Sequence, residues 1–339
     1  MQRKRIAING LGRIGRLVLR KLVCDRRLEI VAVNDVAPLD ILTYLIKHNT
    51  EHGSFDQKNR IGFTDNFLVM DDLEIPAYQE ADARQLPWSN YAVDLVLDCS
   101  GAYTSRIKAQ AHLDAGARKV LLSATAGTDV PTVVFSMNEH TLELTDTIIS
   151  GASCSTVGLA PLARALNDIT PIKQGISTTI HALTPTQMTL DNPQAKGNLR
   201  RSRTASSNII PTSAAAAQAV GLIVPDLAGK LSGSAIRVPV TRGSLITLHA
   251  LVESNTLSVE SLNEAMKKYV TSWFAYTDDE LVSSDIAGTA YEAIFDATQT
   301  KVAKAAENAY LVEVSAWFDN ETSYVAHFTA LAEHICNLT

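Results

Sequence analysis

The segment from Arg5 to Asp35 constrains this chain more than any other. RIAING reads as a strand, and Gly10, Gly12 and Gly15 follow it at the spacing GxGxxG. RIGRLVLRKLV then carries a helical pattern, and LEIVAVND reads as a second strand. Strand, helix and strand at this spacing form a βαβ unit of a parallel sheet. Glycines at the turn let the backbone approach a pyrophosphate, whose charge meets the N–H groups and dipole at the helix N-terminus. Gly10, Gly12, Arg13, Ile14 and Gly15 are therefore the candidate cofactor turn, with Arg13 either assisting the pyrophosphate or merely solvated. Asp35 closes the second strand about 20 residues beyond the glycines, where a carboxylate bonds ribose hydroxyls and repels a 2′-phosphate. NAD is the expected cofactor. A plain glycine turn followed by a surface aspartate is the alternative, and the common register of strand, glycines, helix and acid speaks against it.

Beyond Asp35 a helix is expected over about 40–47. YAVDLVLDCSG, ARKVLLSA and DTIISGA then read as buried strands followed by small residues, as at the carboxyl edge of an open α/β sheet. The fold class is α/β, with a doubly wound parallel sheet ending near Gly151 to Cys154. After LAPLARALND the pattern changes to QGISTTIHAL, SAIRVPV, LITLHALVE and YLVEVSAWFD, which predict a second, mostly antiparallel domain. Two domains also suit 339 residues, more than one hydrophobic core usually supports. The polar stretch from Thr184 to Asn208 is a loop long enough to be functional. The run Ala214 to Ala217 is expected within a helix.

Hydrophobic residues at 46% and charged residues at 19%, without long like-charge blocks, fit a globular enzyme and not a disordered chain. The net charge of −6 offers no basic field for nucleic acid, and Arg200, Arg201 and Arg203 are too short a cluster to reverse that. The basic opening MQRKR is followed by an apolar stretch broken at Asn9, so no signal peptide is expected, and no run approaches a membrane span. Cys24, Cys99, Cys154 and Cys336 are scattered and form no CxxC, which fits a reducing cytoplasm and disfavours disulfides and metal.

Cys154 lies in SGASCSTVGLAPLARAL, where a strand runs into a helix, and a helix N-terminus lowers a thiol's pKa. His181, ending the run STTIH, is a candidate base, although a lone histidine there is more often structural.

NGLGRIGR, ASCSTVGLAPLA, TTIHALTPTQ, NLRRSRTASSNIIPTS, IRVP and WFDNE together resemble the glyceraldehyde-3-phosphate dehydrogenase family in order and spacing, from about Arg5 to the C-terminal helix. The resemblance implies a Rossmann-type NAD-binding domain over 1–153 and 319–339, an α+β catalytic domain over 154–318, and a homotetramer. By the same resemblance Cys154 is the nucleophile and His181 its base. Thr184 and Arg237 hold the substrate's phosphate, Ser153 and Arg201 lie toward the inorganic phosphate, Ser155 is a further substrate-binding residue, Asn320 meets the nicotinamide carboxamide, and Ser123 lies beside the cofactor. The implied substrates are a small phosphorylated aldehyde and inorganic phosphate.

Several positions depart from the family pattern. The family usually has two threonines, an asparagine and a second cysteine after the nucleophile, where this chain has Ser155, Thr156, Val157 and Gly158. Ser155 keeps a hydroxyl, Gly158 reads as the loss of a spare thiol, and Val157 cannot make the asparagine's hydrogen bonds. Ala214 and Ala215 replace a Thr-Gly on the inorganic-phosphate side, and Thr322 and Ser323 replace a Trp-Gly. Weakened phosphorolysis is the resulting expectation. An erythrose-4-phosphate dehydrogenase or a non-phosphorylating enzyme releasing free acid is the alternative, and a catalytically weak binding protein is the alternative of another class.

Overall fold

The computed structural model describes residues 3–25, 27–55, 60–194 and 198–338. The chain divides into two compact units, Met1–Ala152 with His327–Thr339, and Ser153–Ala326. In the first unit β1 (Lys4–Asn9), β2 (Leu28–Asn34), β3 (Ile61–Thr64), β4 (Phe67–Met70), β5 (Leu73–Tyr78), β6 (Leu95–Asp98), β7 (Lys119–Leu122) and β8 (Ile148–Ser150) form one sheet. Its order is β3-β4-β5-β2-β1-β6-β7-β8. The run from β5 to β8 is parallel, and β3, β4 and β5 pair antiparallel at the edge.

Every residue of β6 and β7 is buried, as expected of parallel strands covered on both faces. The core around them includes Ala7, Val31, Trp88, Val96 and Val120. Strand order reverses at β1, which pairs with β2 on one side and β6 on the other. A doubly wound sheet opens its ligand crevice at such a switch point, beyond the carboxyl ends of the strands. Gly10 sits there.

The second unit has a seven-stranded sheet of β9 (Ile172–His181), β10 (Ile210–Ser213), β11 (Leu231–Arg237), β12 (Ser244–Glu253), β13 (Phe274–Thr277), β14 (Ala293–Ala306) and β15 (Ala309–Phe318). Its order is β10-β11-β9-β12-β15-β14-β13, with only β11–β9 and β13–β14 parallel. Along β12, Ile246, Leu248, Ala250 and Val252 are buried while their neighbours are more exposed. This period of two marks a sheet with one covered face. The helix Cys154–Ile169 packs on the covered face, where Leu159, Leu162 and Leu166 are fully buried.

The mixed α/β architecture and the antiparallel second sheet agree with the sequence reading. The helix after Asp35 spans Leu39–Lys47. The alanine run is helical only from Ala216, and Ala215 caps the helix Ala216–Ile223 without a side-chain hydrogen bond.

Candidate active site

In the first unit the carboxyl ends of β1, β2 and β6 converge on the glycine turn. Gly10 has φ of 90°, a left-handed conformation, and a Cβ there would lie 2.5 Å from the Ser100 backbone nitrogen. Gly15 is equally excluded from carrying a side chain, since its Cβ would meet the Gly10 oxygen. Gly12 caps the helix Arg13–Leu22 with no side-chain hydrogen bond, and nothing lies within 4 Å of where its Cβ would be. The helix N-terminus is thus open to an anion. Arg13 and Ile14, half-buried, form its first turn. Asp35 accepts from Leu11 N at 2.6 Å and from Ala37 N at 2.9 Å, so its carboxylate is tied to the glycine turn. It lines a cavity of about 90 Å³ with Leu11, Leu39, Asp65 and Gln79. Ser123 follows β7 and donates its backbone N–H to Asp98 O at 2.8 Å.

Beneath this edge lies a polar chain that the sequence reading missed. Trp88 Nε1 donates to His112 Nδ1 at 3.1 Å, and His112 Nε2 lies 3.2 Å from Asp98 Oδ2. Asn9 donates to the same carboxylate at 2.6 Å and accepts from Asn34 at 2.7 Å. Asn9, Asn34 and Asp98 end their strands, so buried hydrogen bonds fix three strand ends around Gly10.

In the second unit Ser153 caps the helix Cys154–Ile169. Its hydroxyl accepts from Thr156 N at 3.2 Å and bonds the Thr156 hydroxyl at 2.8 Å. Ala152, two residues before Cys154, holds φ of 57°, rare for a residue with a Cβ and characteristic of functional turns. Cys154 Sγ lies 3.4 Å from His181 Nε2 at the end of β9. Burial pushes the thiol above its ordinary range, while the Arg237 charge and hydrogen bonds from Ser155 pull it down. A thiol raised on balance remains protonated near neutral pH, so its activation depends on a base within reach.

His181 Nδ1 lies 2.7 Å from Ala182 O and 2.6 Å from Arg237 Nη1, which itself donates to Ala182 O at 3.1 Å. The parallel pairing of β9 with β11 sets Arg237 opposite His181. Phe318, at the end of β15, stands edge-on to the imidazole with centroids 5.9 Å apart. Cys154 thus meets His181, and His181 Nδ1 and Arg237 Nη1 converge on Ala182 O.

Thr184 and Arg201 belong to a second group. Thr184 Oγ1 bonds Thr186 Oγ1 at 2.9 Å, and Arg201 donates to Thr186 Oγ1 at 3.1 Å and Thr212 Oγ1 at 3.2 and 3.3 Å. Thr186 and Thr212 were not singled out from the sequence, where isolated threonines carry no signal. Asn320 follows β15, only 5% exposed, and its Oδ1 accepts no hydrogen bond among the described residues. Among those residues no group of three metal-ligating side chains occurs, and no helix is long and apolar enough to cross a membrane.

Two sequence-family profiles match. The glyceraldehyde 3-phosphate dehydrogenase NAD binding domain covers residues 4–106, and the C-terminal domain of the same family covers residues 153–320. A glyceraldehyde-3-phosphate dehydrogenase of Clostridium pasteurianum is 43% identical over 98% of this chain and 99% of its own length. Those of Clostridium acetobutylicum and Lactobacillus delbrueckii subsp. bulgaricus are 46% and 45% identical, over 95% and 98% of this chain and 95% and 99% of theirs. This chain belongs to the glyceraldehyde 3-phosphate dehydrogenase family.

Within the glyceraldehyde 3-phosphate dehydrogenase family, the positions where this chain departs acquire a physical reading. Gly158 does more than remove a thiol, because a Cβ there would lie 3.0 Å from the Phe318 ring and 3.1 Å from Ile246. Val157 is buried, so packing takes the place of the asparagine's hydrogen bonds. The first unit carries the family's NAD-binding domain. Its open helix N-terminus and the tethered Asp35 suit a pyrophosphate and a ribose without a 2′-phosphate.

Proposed function

We propose that the chain oxidises glyceraldehyde 3-phosphate through a thioester on Cys154, which inorganic phosphate cleaves to 1,3-bisphosphoglycerate. The observation that carries this reading is the Cys154 Sγ to His181 Nε2 approach of 3.4 Å at the capped start of a helix. His181 takes the thiol proton as the sulfur adds to the aldehyde carbon and returns it to the carbonyl oxygen, giving a hemithioacetal. His181 then receives the hemithioacetal's hydroxyl proton as that centre is oxidised to the thioester. NAD, held by the glycine turn, Asp35, Ser123 and Asn320, supplies the hydride acceptor. Arg237 and Thr184 clamp the substrate's phosphate, the arginine through its planar fork of donors. Arg201, with the Thr186 and Thr212 hydroxyls it touches, receives the attacking phosphate beside Ser153 and Ser155.

Ala214 and Ala215 offer that anion no side-chain hydroxyl, so phosphorolysis is expected to be weak. NADH formation measured against phosphate concentration tests this: a raised apparent phosphate constant supports the reading, and one ordinary for the family contradicts it. Acid released without acyl phosphate would favour the hydrolytic alternative.

The assignment of 1–153 with 319–339 to cofactor binding and 154–318 to catalysis belongs to the same proposal. So does a homotetramer. The open face of the second sheet exposes Ile176, Leu251 and Leu311 on β9, β12 and β15, apolar surface that a second copy would cover. Cytoplasmic residence belongs to the same proposal, supported by four scattered cysteines without a CxxC pair.

A further inference from the structure

The segment after β15 is held by a buried ion pair. Arg242 Nη2 donates to Asp319 Oδ2 at 2.5 Å, and the two side chains are 8% and 0% exposed. The same guanidinium nitrogen donates to Thr322 Oγ1 at 2.8 Å. Asp319 also accepts from Gly288 N at 2.7 Å, Glu321 N at 2.8 Å and Thr322 N at 3.0 Å. Ser323 Oγ accepts from Asp319 N at 3.0 Å and donates to Thr289 O at 3.2 Å.

Asn320 stands between the bonded residues Asp319 and Glu321, and its buried Oδ1 accepts no hydrogen bond among the described residues. Two of the residues that build the lattice, Thr322 and Ser323, stand where the sequence departs from the family's Trp-Gly. Separating the pair would leave a charge buried and uncompensated, so Arg242 and Asp319 tolerate few arrangements of the backbone between them. The backbone that carries Asn320 is thereby held before any ligand arrives, which lowers the ordering cost at binding.

We infer that Arg242, through Asp319 and Thr322, is a positioning residue that aims the Asn320 carboxamide at a ligand amide. This rests on reading that amide as the carboxamide of the nicotinamide. ADP-ribose, which lacks the nicotinamide, separates aim from general integrity.

The test is calorimetric titration of the purified protein, without aldehyde, with NAD and with ADP-ribose. Thr322→Val removes one bond from the guanidinium and should weaken NAD roughly two- to tenfold while leaving ADP-ribose unchanged. Arg242→Met should enlarge the same selective loss. If its thermal unfolding shows that it does not fold, Thr322→Val still decides. Unchanged NAD affinity in Thr322→Val, or equal weakening of both ligands, overturns the inference. Asn320→Ala should show the selective loss as well. If it does not, the reading of Asn320 itself fails, whatever Thr322→Val does.

Discussion

At the scale of single residues, the site is a set of short polar contacts whose members have different jobs. His181 touches the thiol through one ring nitrogen, while the other shares Ala182 O with Arg237. His181→Asn should therefore lower kcat by about 10²–10⁴-fold, the usual contribution of a general base, in steady-state assays of NADH formation. Asp35 is tied to Leu11 N and Ala37 N, and in the proposed reading its carboxylate repels a 2′-phosphate. Asp35→Ser should raise the NADP-to-NAD ratio of kcat/KM, and an unchanged ratio would remove Asp35 from cofactor choice. The sequence singled out Cys154 and Asp35 through motif and neighbours, and the family resemblance added Arg237 and the role of His181; the fold brings Cys154 to His181 and Arg237 beside His181. Thr186, Thr212 and Ala152 were not singled out, since a hydroxyl's partner and a backbone's φ depend on how distant segments fold.

Elements position these groups through packing that tolerates little change. The helix Cys154–Ile169 packs closely on its sheet at position 158, where a Cβ would lie 3.0 Å from the Phe318 ring and 3.1 Å from Ile246. Gly158→Ala should destabilise the protein by about 1–3 kcal/mol by overpacking, measured as a shift in urea midpoint. It should also disturb activity, because Phe318 braces the His181 ring. The sequence announced strands with clear alternation, such as LITLHALVE, better than β14, whose outer half KVAKAA is rich in alanine and lysine. That strand exists through its hairpin with β15, a tertiary cause that local propensity does not carry. The same holds for Gly158, which reads as a lost thiol until the sheet beneath it is seen.

Across the whole molecule, buried groups whose ionised forms are disfavoured set the response to pH. Burial and the Asp94 carboxylate push Cys336 from 9.0 up to about 12. Burial and the Tyr91 hydroxyl push Tyr78 from 10.0 to about 12. Between those ordinary values and about 12 the unfolded chain releases these protons while the folded chain keeps them, so stability falls as pH rises. The urea midpoint should decline above pH 9.0, and Cys336→Ala should flatten the first part of that decline. Two domains and their fold classes were legible from strand patterns alone, whereas the proposed phosphate site rests on pairings such as Arg201 with Thr212, which only the fold brings together. The most direct test of the account is mass spectrometry of the protein mixed with glyceraldehyde 3-phosphate and NAD at low phosphate. The predicted result is an acyl adduct confined to Cys154 that disappears when phosphate is added. An adduct at another residue, or NADH formation that persists in Cys154→Ser, would contradict it.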